Sequence, residues 1–156
     1  MSVRVGGVAM AICAETPNSG RDVEWLPLSG LKVLVVEDSW IVASSLKSLL
    51  ENMDIAVLGP LGNLAEATNA ARAMDFDVAI VDLDLHGLAA DGLIAELHRS
   101  GRPVVIVTGR TAKGAVARMA AGVLPKPFRA NLLLKLLREI RADLTANNNT
   151  EADQAN

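Results

Sequence analysis

The chain has 156 residues, 51% of them hydrophobic and 21% charged, with a mean hydropathy of +0.30. That is enough apolar material for one domain with a sizeable core, and it excludes general disorder. Lys and Arg total 15 against 18 for Asp and Glu, and the net charge of -3 leaves no broad basic field for nucleic acid or an anionic membrane surface.

Residues 1–30 show no sustained period and carry the turn formers Pro17, Asn18, Ser19, Gly20, Pro27 and Gly30, so they are expected to form a flexible leader. The leader holds Cys13, the single cysteine, which cannot form an internal disulfide and suits a reducing compartment. Its apolar run, Val5 to Ala14, is interrupted by Gly6 and Gly7 and is too short to cross a bilayer. A cytoplasmic location with no membrane contact is the expectation.

Leu31 to Val36 is a short apolar run rich in valine, the pattern of a strand buried on both faces. It stops at two acids, Glu37 and Asp38. Val42, Leu46, Leu49, Leu50 and Met53 then recur on one face of a helix that starts at Ser39. Ile55 to Leu58 reads as a second strand closed by Gly59 and Pro60, followed by an alanine-rich helix from Leu64 to Met74. Asp77 to Val81 is the third strand, and Asp91 to Arg99 belongs to the third helix. Pro103 to Val107 is the fourth strand, ending at Thr108 and Gly109, with a weak helix to about Ala121. Val123 and Leu124 form a short fifth strand, and Arg129 to Leu144 is a leucine-rich helix. The polar segment 145–156, with Asn147, Asn148 and Asn149 in a row, is expected to be a disordered tail. Five rounds of strand and helix with short loops predict an α/β domain, a parallel sheet covered by helices on both faces.

In such a sheet the ligand site lies at the carboxyl ends of the strands, where strand order reverses. Those ends carry Glu37 and Asp38, Asp82, Thr108, and Lys126 followed by Pro127. Three carboxylates gathered on one rim repel one another and call for a cation. Oxygen ligands with room for water suit Mg²⁺, which binds through one or two carboxylates together with phosphate oxygens. A carboxylate held against such an ion can act as nucleophile toward a phosphoryl group, with an ammonium and a hydroxyl on the other oxygens. Taken singly, each residue has a plainer use: Asp38 as a helix cap, Asp82 and Thr108 as turn formers, Lys126 as a solvated charge. His86 and His98 are too isolated for a metal site and fit solvated turns or helix ends.

The acid pair Glu37 and Asp38, the run Val81 to Gly87 around Asp82, Thr108 with Gly109, and Lys126-Pro127-Phe128 resemble, in order and spacing, the receiver domain of two-component response regulators. The resemblance covers residues 31 to about 142, with the domain placed at 31–144. It implies the flavodoxin-like (βα)5 fold, a doubly wound five-stranded parallel sheet of order 2-1-3-4-5. It also implies that Asp82 is the phosphoacceptor, that Glu37, Asp38, Asp82 and the backbone carbonyl of Asp84 hold Mg²⁺, and that Thr108 and Lys126 bind the phosphoryl group. The Lys126-Pro127 bond is expected to be cis. Partners would be a histidine kinase or phosphotransfer protein and a downstream protein target, with no direct DNA binding and no metabolic enzyme activity beyond self-catalysed phosphoryl acceptance and loss. With no output domain after residue 144, signalling would run through protein contacts. Leu132 and Leu134 fall outside the main stripe of the fifth helix, so a homodimer through helix four, strand five and helix five is one reading and a wide buried stripe the other.

Departures from the family pattern bear on mechanism. Val123 stands where the family usually has a switch Tyr or Phe, and the chain has no Tyr. Activation is therefore expected to reorder the backbone around Gly109 and the weak fourth helix. The Thr-Gly pair without a switch aromatic is similar to a group of alphaproteobacterial stand-alone regulators. His86 replaces a common proline, which is expected to loosen its loop. Asp84 and Arg110 are expected to face each other across the mouth of the site and to tune phosphate lifetime. Trp40 falls off the apolar stripe of the first helix, either exposed to dock the phosphodonor or packed under a loop. Two other functions fit parts of the pattern. Asp82-Leu83-Asp84 after a strand also resembles the haloacid-dehalogenase-type aspartyl phosphatases, and a receiver-like scaffold that never takes phosphate is the third reading.

Overall fold

The computed structural model describes residues 26–154, so most of the expected leader, with Cys13, lies outside the described residues. The element order is β1 (Lys32–Val36), α1 (Trp40–Glu51), β2 (Ala56–Leu61), α2 (Leu64–Ala73), β3 (Val78–Asp82), β4 (Asp84–Leu85), β5 (Leu88–Ala89), α3 (Asp91–Arg99), β6 (Val104–Thr108), α4 (Gly114–Met119), β7 (Gly122–Pro125) and α5 (Ala130–Gln154). Five strands form a parallel sheet in the order β2-β1-β3-β6-β7. With the small β4-β5 hairpin set aside, this is the expected flavodoxin-like order.

The strands are apolar throughout because both faces of the sheet are covered. Val33, Val35, Val78, Ile80, Val105 and Val107 pack on one face with Leu46 and Leu50 of α1 and Leu133, Leu137 and Ile140 of α5. The alternate residues Leu34, Val36, Ala79, Val81, Val104 and Ile106 pack on the other face with Ala67 and Ala71 of α2 and Leu93, Ile94 and Leu97 of α3. Strand period and helix stripe thus agree, and each buried aliphatic side chain contributes roughly 1.5–3 kcal/mol relative to exposure. Strand order reverses between β1 and β3, so the crevice at their carboxyl ends is where a site is expected.

Three local features differ from the sequence reading, and a fourth bears on its two alternatives for α5. Strand β2 runs on through Gly59 and Pro60 to Leu61. It is an edge strand and its register against β1 shifts between Leu34 and Val36, which lets it absorb a residue that cannot donate. Gly59 is required there: its φ is +95°, and a Cβ would lie 2.8 Å from the carbonyl oxygen of Val35. Leu28 is buried in the core, so the packed body begins before residue 31. Helix α5 continues to Gln154 where a disordered tail from 145 was expected, and the hydroxyls of Thr145 and Thr150 donate to the carbonyls of Arg141 and Ala146 one turn earlier. Finally, of the two outlying leucines of α5, Leu134 packs against the core and Leu132 is exposed, so much of the wide apolar stripe is internal.

Candidate phosphoryl-transfer site

The carboxyl ends of β1, β3, β6 and β7 deliver every candidate side chain to one crevice. Glu37 follows β1 and is 3% exposed; Asp82 closes β3 at 8% and Thr108 closes β6 at 1%. One carboxylate oxygen each from Glu37, Asp38 and Asp82 falls in a group whose members all lie within 4.8 Å of one another. Lys126, just beyond β7, points its Nζ between two of them, 2.5 Å from Glu37 Oε2 and 2.8 Å from Asp82 Oδ2. Its backbone N–H donates to the carbonyl of Thr108 at 2.7 Å, which fixes the turn that aims the side chain. The following peptide bond, Lys126-Pro127, is cis, as expected.

The remaining bonds of the crevice hold the acids in place. Glu37 Oε1 accepts the N–H of Ser39 at 2.9 Å, at the start of α1. Asp82 Oδ1 accepts the N–H of Asp84 at 3.2 Å. Asp38 does not cap α1 by a side-chain bond; its Oδ2 accepts the N–H of His86 at 2.8 Å. Thr108 Oγ1 accepts the N–H of Arg110 at 3.0 Å. Arg110 Nη1 lies 3.6 Å from Asp84 Oδ2, so this pair faces across the mouth as expected, both side chains substantially exposed.

His86 is the residue the sequence reading undervalued. It sits in a solvated turn, as expected, but the turn is tight. Asp84 pairs with Ala89 and Leu85 with Leu88, and His86 and Gly87 both have left-handed φ, +52° and +81°. That is the two-residue turn of a hairpin, and Gly87 N–H further donates to Asp84 Oδ1 at 2.8 Å. The loss of proline therefore does not loosen this loop; a hairpin and two side-chain acceptors hold it. The available signal was the dipeptide His86-Gly87 itself, since His tolerates left-handed backbone and Gly favours it.

Charge follows from this packing. Burial pushes the Glu37 carboxyl above its ordinary value, against the opposing pull of the Lys126 ammonium and the Ser39 N–H. Lys126 is also raised: burial works against its charge, but the bonds to Asp82 and Glu37 outweigh it. Both partners move up for different reasons: burial outweighs the ammonium's pull on Glu37, whereas Lys126 gains from bonds to two carboxylates. For Asp38, partial burial is outweighed by the His86 N–H and the nearby positive charge, and its carboxyl lies below the usual range. Three carboxylates against one ammonium leave a formal charge of -2 on the crevice. A set of hard oxygen donors with that excess fits a divalent cation such as Mg²⁺. His98 lies in the last turn of α3, away from the crevice residues named here.

Outside the crevice, Trp40 is 80% exposed and Ile41 73%, so the packed alternative for Trp40 does not hold. A groove of about 560 Å³ beside them is lined by Ile41, Val42, Leu49, Lys126, Pro127 and Phe128, among others. Val123 is partly exposed and borders a cavity of about 310 Å³ together with Thr108 and the segment Gly109 to Ala112. Helix α4 has only six residues and buries none of them. Among the described residues no helix is long and apolar enough to cross a membrane.

A sequence profile of the response regulator receiver domain matches residues 33–138. The chain is 35% identical over 95 residues to a protein-glutamate methylesterase/protein-glutamine glutaminase of Oleidesulfovibrio alaskensis, covering 58% of this chain and 25% of that protein. It thus spans about a quarter of the length of that relative. Among solved structures, the signal receiver domain of a modulated diguanylate cyclase from Desulfovibrio desulfuricans G20 superposes with a TM-score of 0.61 at 27% identity, over 72% of this chain and 97% of that one. A response regulator protein from Burkholderia pseudomallei, solved with a phosphorylated aspartic acid, calcium ion and citrate, gives 0.61 at 28% identity over 78% and 74%.

Proposed function

The chain belongs to the response regulator receiver family, and from that premise we propose that Asp82 is the phosphoacceptor of a two-component signalling protein. The observation that carries this is the convergence of Glu37, Asp38, Asp82, Thr108 and Lys126 on one rim, with Lys126 Nζ already on Asp82 Oδ2. The phosphorylated aspartic acid and cation in the Burkholderia relative support the same reading.

In the proposed reaction a carboxylate oxygen of Asp82 attacks the phosphorus of a phosphohistidine on a kinase or phosphotransfer protein. The O–P bond forms, the N–P bond breaks, and the imidazole leaves. Glu37, Asp38, Asp82 and the carbonyl of Asp84 would hold Mg²⁺, which when bound neutralises charge on the phosphoryl oxygens. Lys126 binds one phosphoryl oxygen and the Thr108 hydroxyl another. Water attack on phosphorus then releases phosphate and regenerates the Asp82 carboxylate. The upstream position of the acid pair, just after β1, favours this over the phosphatase reading, which needs its metal acids after the nucleophile.

The same site supports a route for activation without a switch aromatic. A rotation of Thr108 that carries its hydroxyl onto a phosphoryl oxygen takes Oγ1 away from the Arg110 N–H it accepts, and the segment from Gly109 to Lys113 loses an anchor. Helix α4, with nothing buried, then reorders at little cost, and the α4, β7 and α5 face carries the signal to a protein partner or a second copy. Trp40, Ile41 and the adjoining groove are the proposed dock of the phosphodonor.

The test is incubation with Mg²⁺ and acetyl phosphate followed by intact mass measurement. Wild type should gain one labile phosphate and Asp82→Asn none. Equal labelling of both proteins would move the acceptor elsewhere, and no labelling of wild type would leave the scaffold reading.

A further inference from the structure

Resting on the cation site proposed above, we infer that His86 supplies a nitrogen ligand to it, so that the crevice favours a borderline transition-metal ion such as Ni²⁺ or Co²⁺ more strongly than carboxylates alone would. Oxygen donors suit Mg²⁺ and Ca²⁺, whereas imidazole suits Ni²⁺, Cu²⁺ and Zn²⁺. The structure places such an imidazole at the edge of the acid cluster. His86 Nδ1 lies 3.4 Å from Asp38 Oδ2, the same oxygen that accepts the His86 backbone N–H at 2.8 Å.

Two features make the ring available. The side chain is 70% exposed, so the ring is free to turn about its own bonds toward the acid group of Glu37, Asp38 and Asp82, whose edge it borders at Asp38. The backbone beneath it is fixed by the β4-β5 hairpin and by the bonds to Asp38 and Asp84, so the ring starts each rotation from one place. The left-handed turn at residue 86 accepts Asn, Asp or His, and of these only His offers an aromatic nitrogen.

The experiment is isothermal titration calorimetry of the untagged chain at neutral pH, with MgCl₂ and NiCl₂ in separate titrations. Wild type is compared with His86→Asn, which keeps a residue suited to the turn and removes the imidazole. A direct ligand should be worth at least the roughly tenfold that loss of an outer-shell partner costs a metal site. The expected result is therefore Ni²⁺ affinity at least about tenfold lower in the variant, with Mg²⁺ affinity unchanged and an unchanged melting temperature without metal. His98→Gln should leave both affinities as in wild type. Equal loss for the two ions, or loss for neither, overturns the role of His86 while leaving the Mg²⁺ site standing. Wild type that binds neither ion overturns the cation site as well.

Discussion

Replacing Lys126 by Met keeps the methylene stem and removes the one ammonium between Glu37 and Asp82. At an effective dielectric near 20, a charge pair about 4 Å apart gains about 4 kcal/mol before desolvation is counted. Here two such pairs exist, Nζ lying 2.5 Å from Glu37 and 2.8 Å from Asp82. Removing one partner of a buried pair costs about 3–5 kcal/mol, because the other charge is left unpaired. Lys126 is about one-fifth exposed, so the low end, about 3 kcal/mol, is expected. For a chain of this size that lowers the melting temperature by about 6–12 °C.

The loss should depend on pH. A carboxyl whose folded value is raised binds its proton more tightly in the folded state than in the unfolded one. Its contribution is therefore present below its ordinary value, about 4.5 for Glu37, and is lost as pH rises through the raised one. Without the ammonium Glu37 rises further, so the variant's deficit should be largest at neutral pH and should shrink toward about pH 5. The assay is thermal unfolding in EDTA across that range, repeated with Mg²⁺, which should stabilise the variant more than wild type. A variant as stable as wild type at neutral pH, or a deficit that ignores pH, would refute the account of how the acids are held.

Trp40→Ala should slow phosphoryl transfer from a phosphorylated histidine-bearing donor protein by fivefold or more, the effect of about 1 kcal/mol at a binding hot spot, while labelling by acetyl phosphate stays normal; slowing of both reactions would place Trp40 in the chemistry instead. Asp84→Asn and Arg110→Ala should each change the decay rate of the phosphorylated mass by no more than about fivefold, since an exposed pair is worth under about 1 kcal/mol. If neither variant alters that decay, the pair across the mouth has no part in phosphate lifetime. Gly59→Ala should lose about 1–3 kcal/mol in urea denaturation, because the left-handed backbone and the Val35 carbonyl both oppose a Cβ. Wild-type stability in that variant would mean that β2 can give way at its edge.

The strands, their burial and the acids at their ends were legible because they are local. Valine-rich runs such as Leu31 to Val36 and Val104 to Val107 can only be covered on both faces, and a polar residue that ends such a run must sit on the rim. Helix period located α1 and the first turns of α5 for the same reason. Boundaries were less legible where local rules conflict: Pro60 reads as a stop, yet an edge strand tolerates it, and the asparagines after Ala146 read as disorder, yet α5 carries them on in helical register.

What only the tertiary structure decided is how distant residues share partners. Lys126 is 89 residues from Glu37 and 44 from Asp82, and His86 is 48 from Asp38. No spacing along the chain could say that the ammonium is divided between two acids or that a histidine turn holds the third. Hydrophobic period places a side chain on a face or at an end of the sheet. The bond it makes there depends on distances of tenths of an ångström, and those are set by the packing of β1, β3, β6 and β7 side by side.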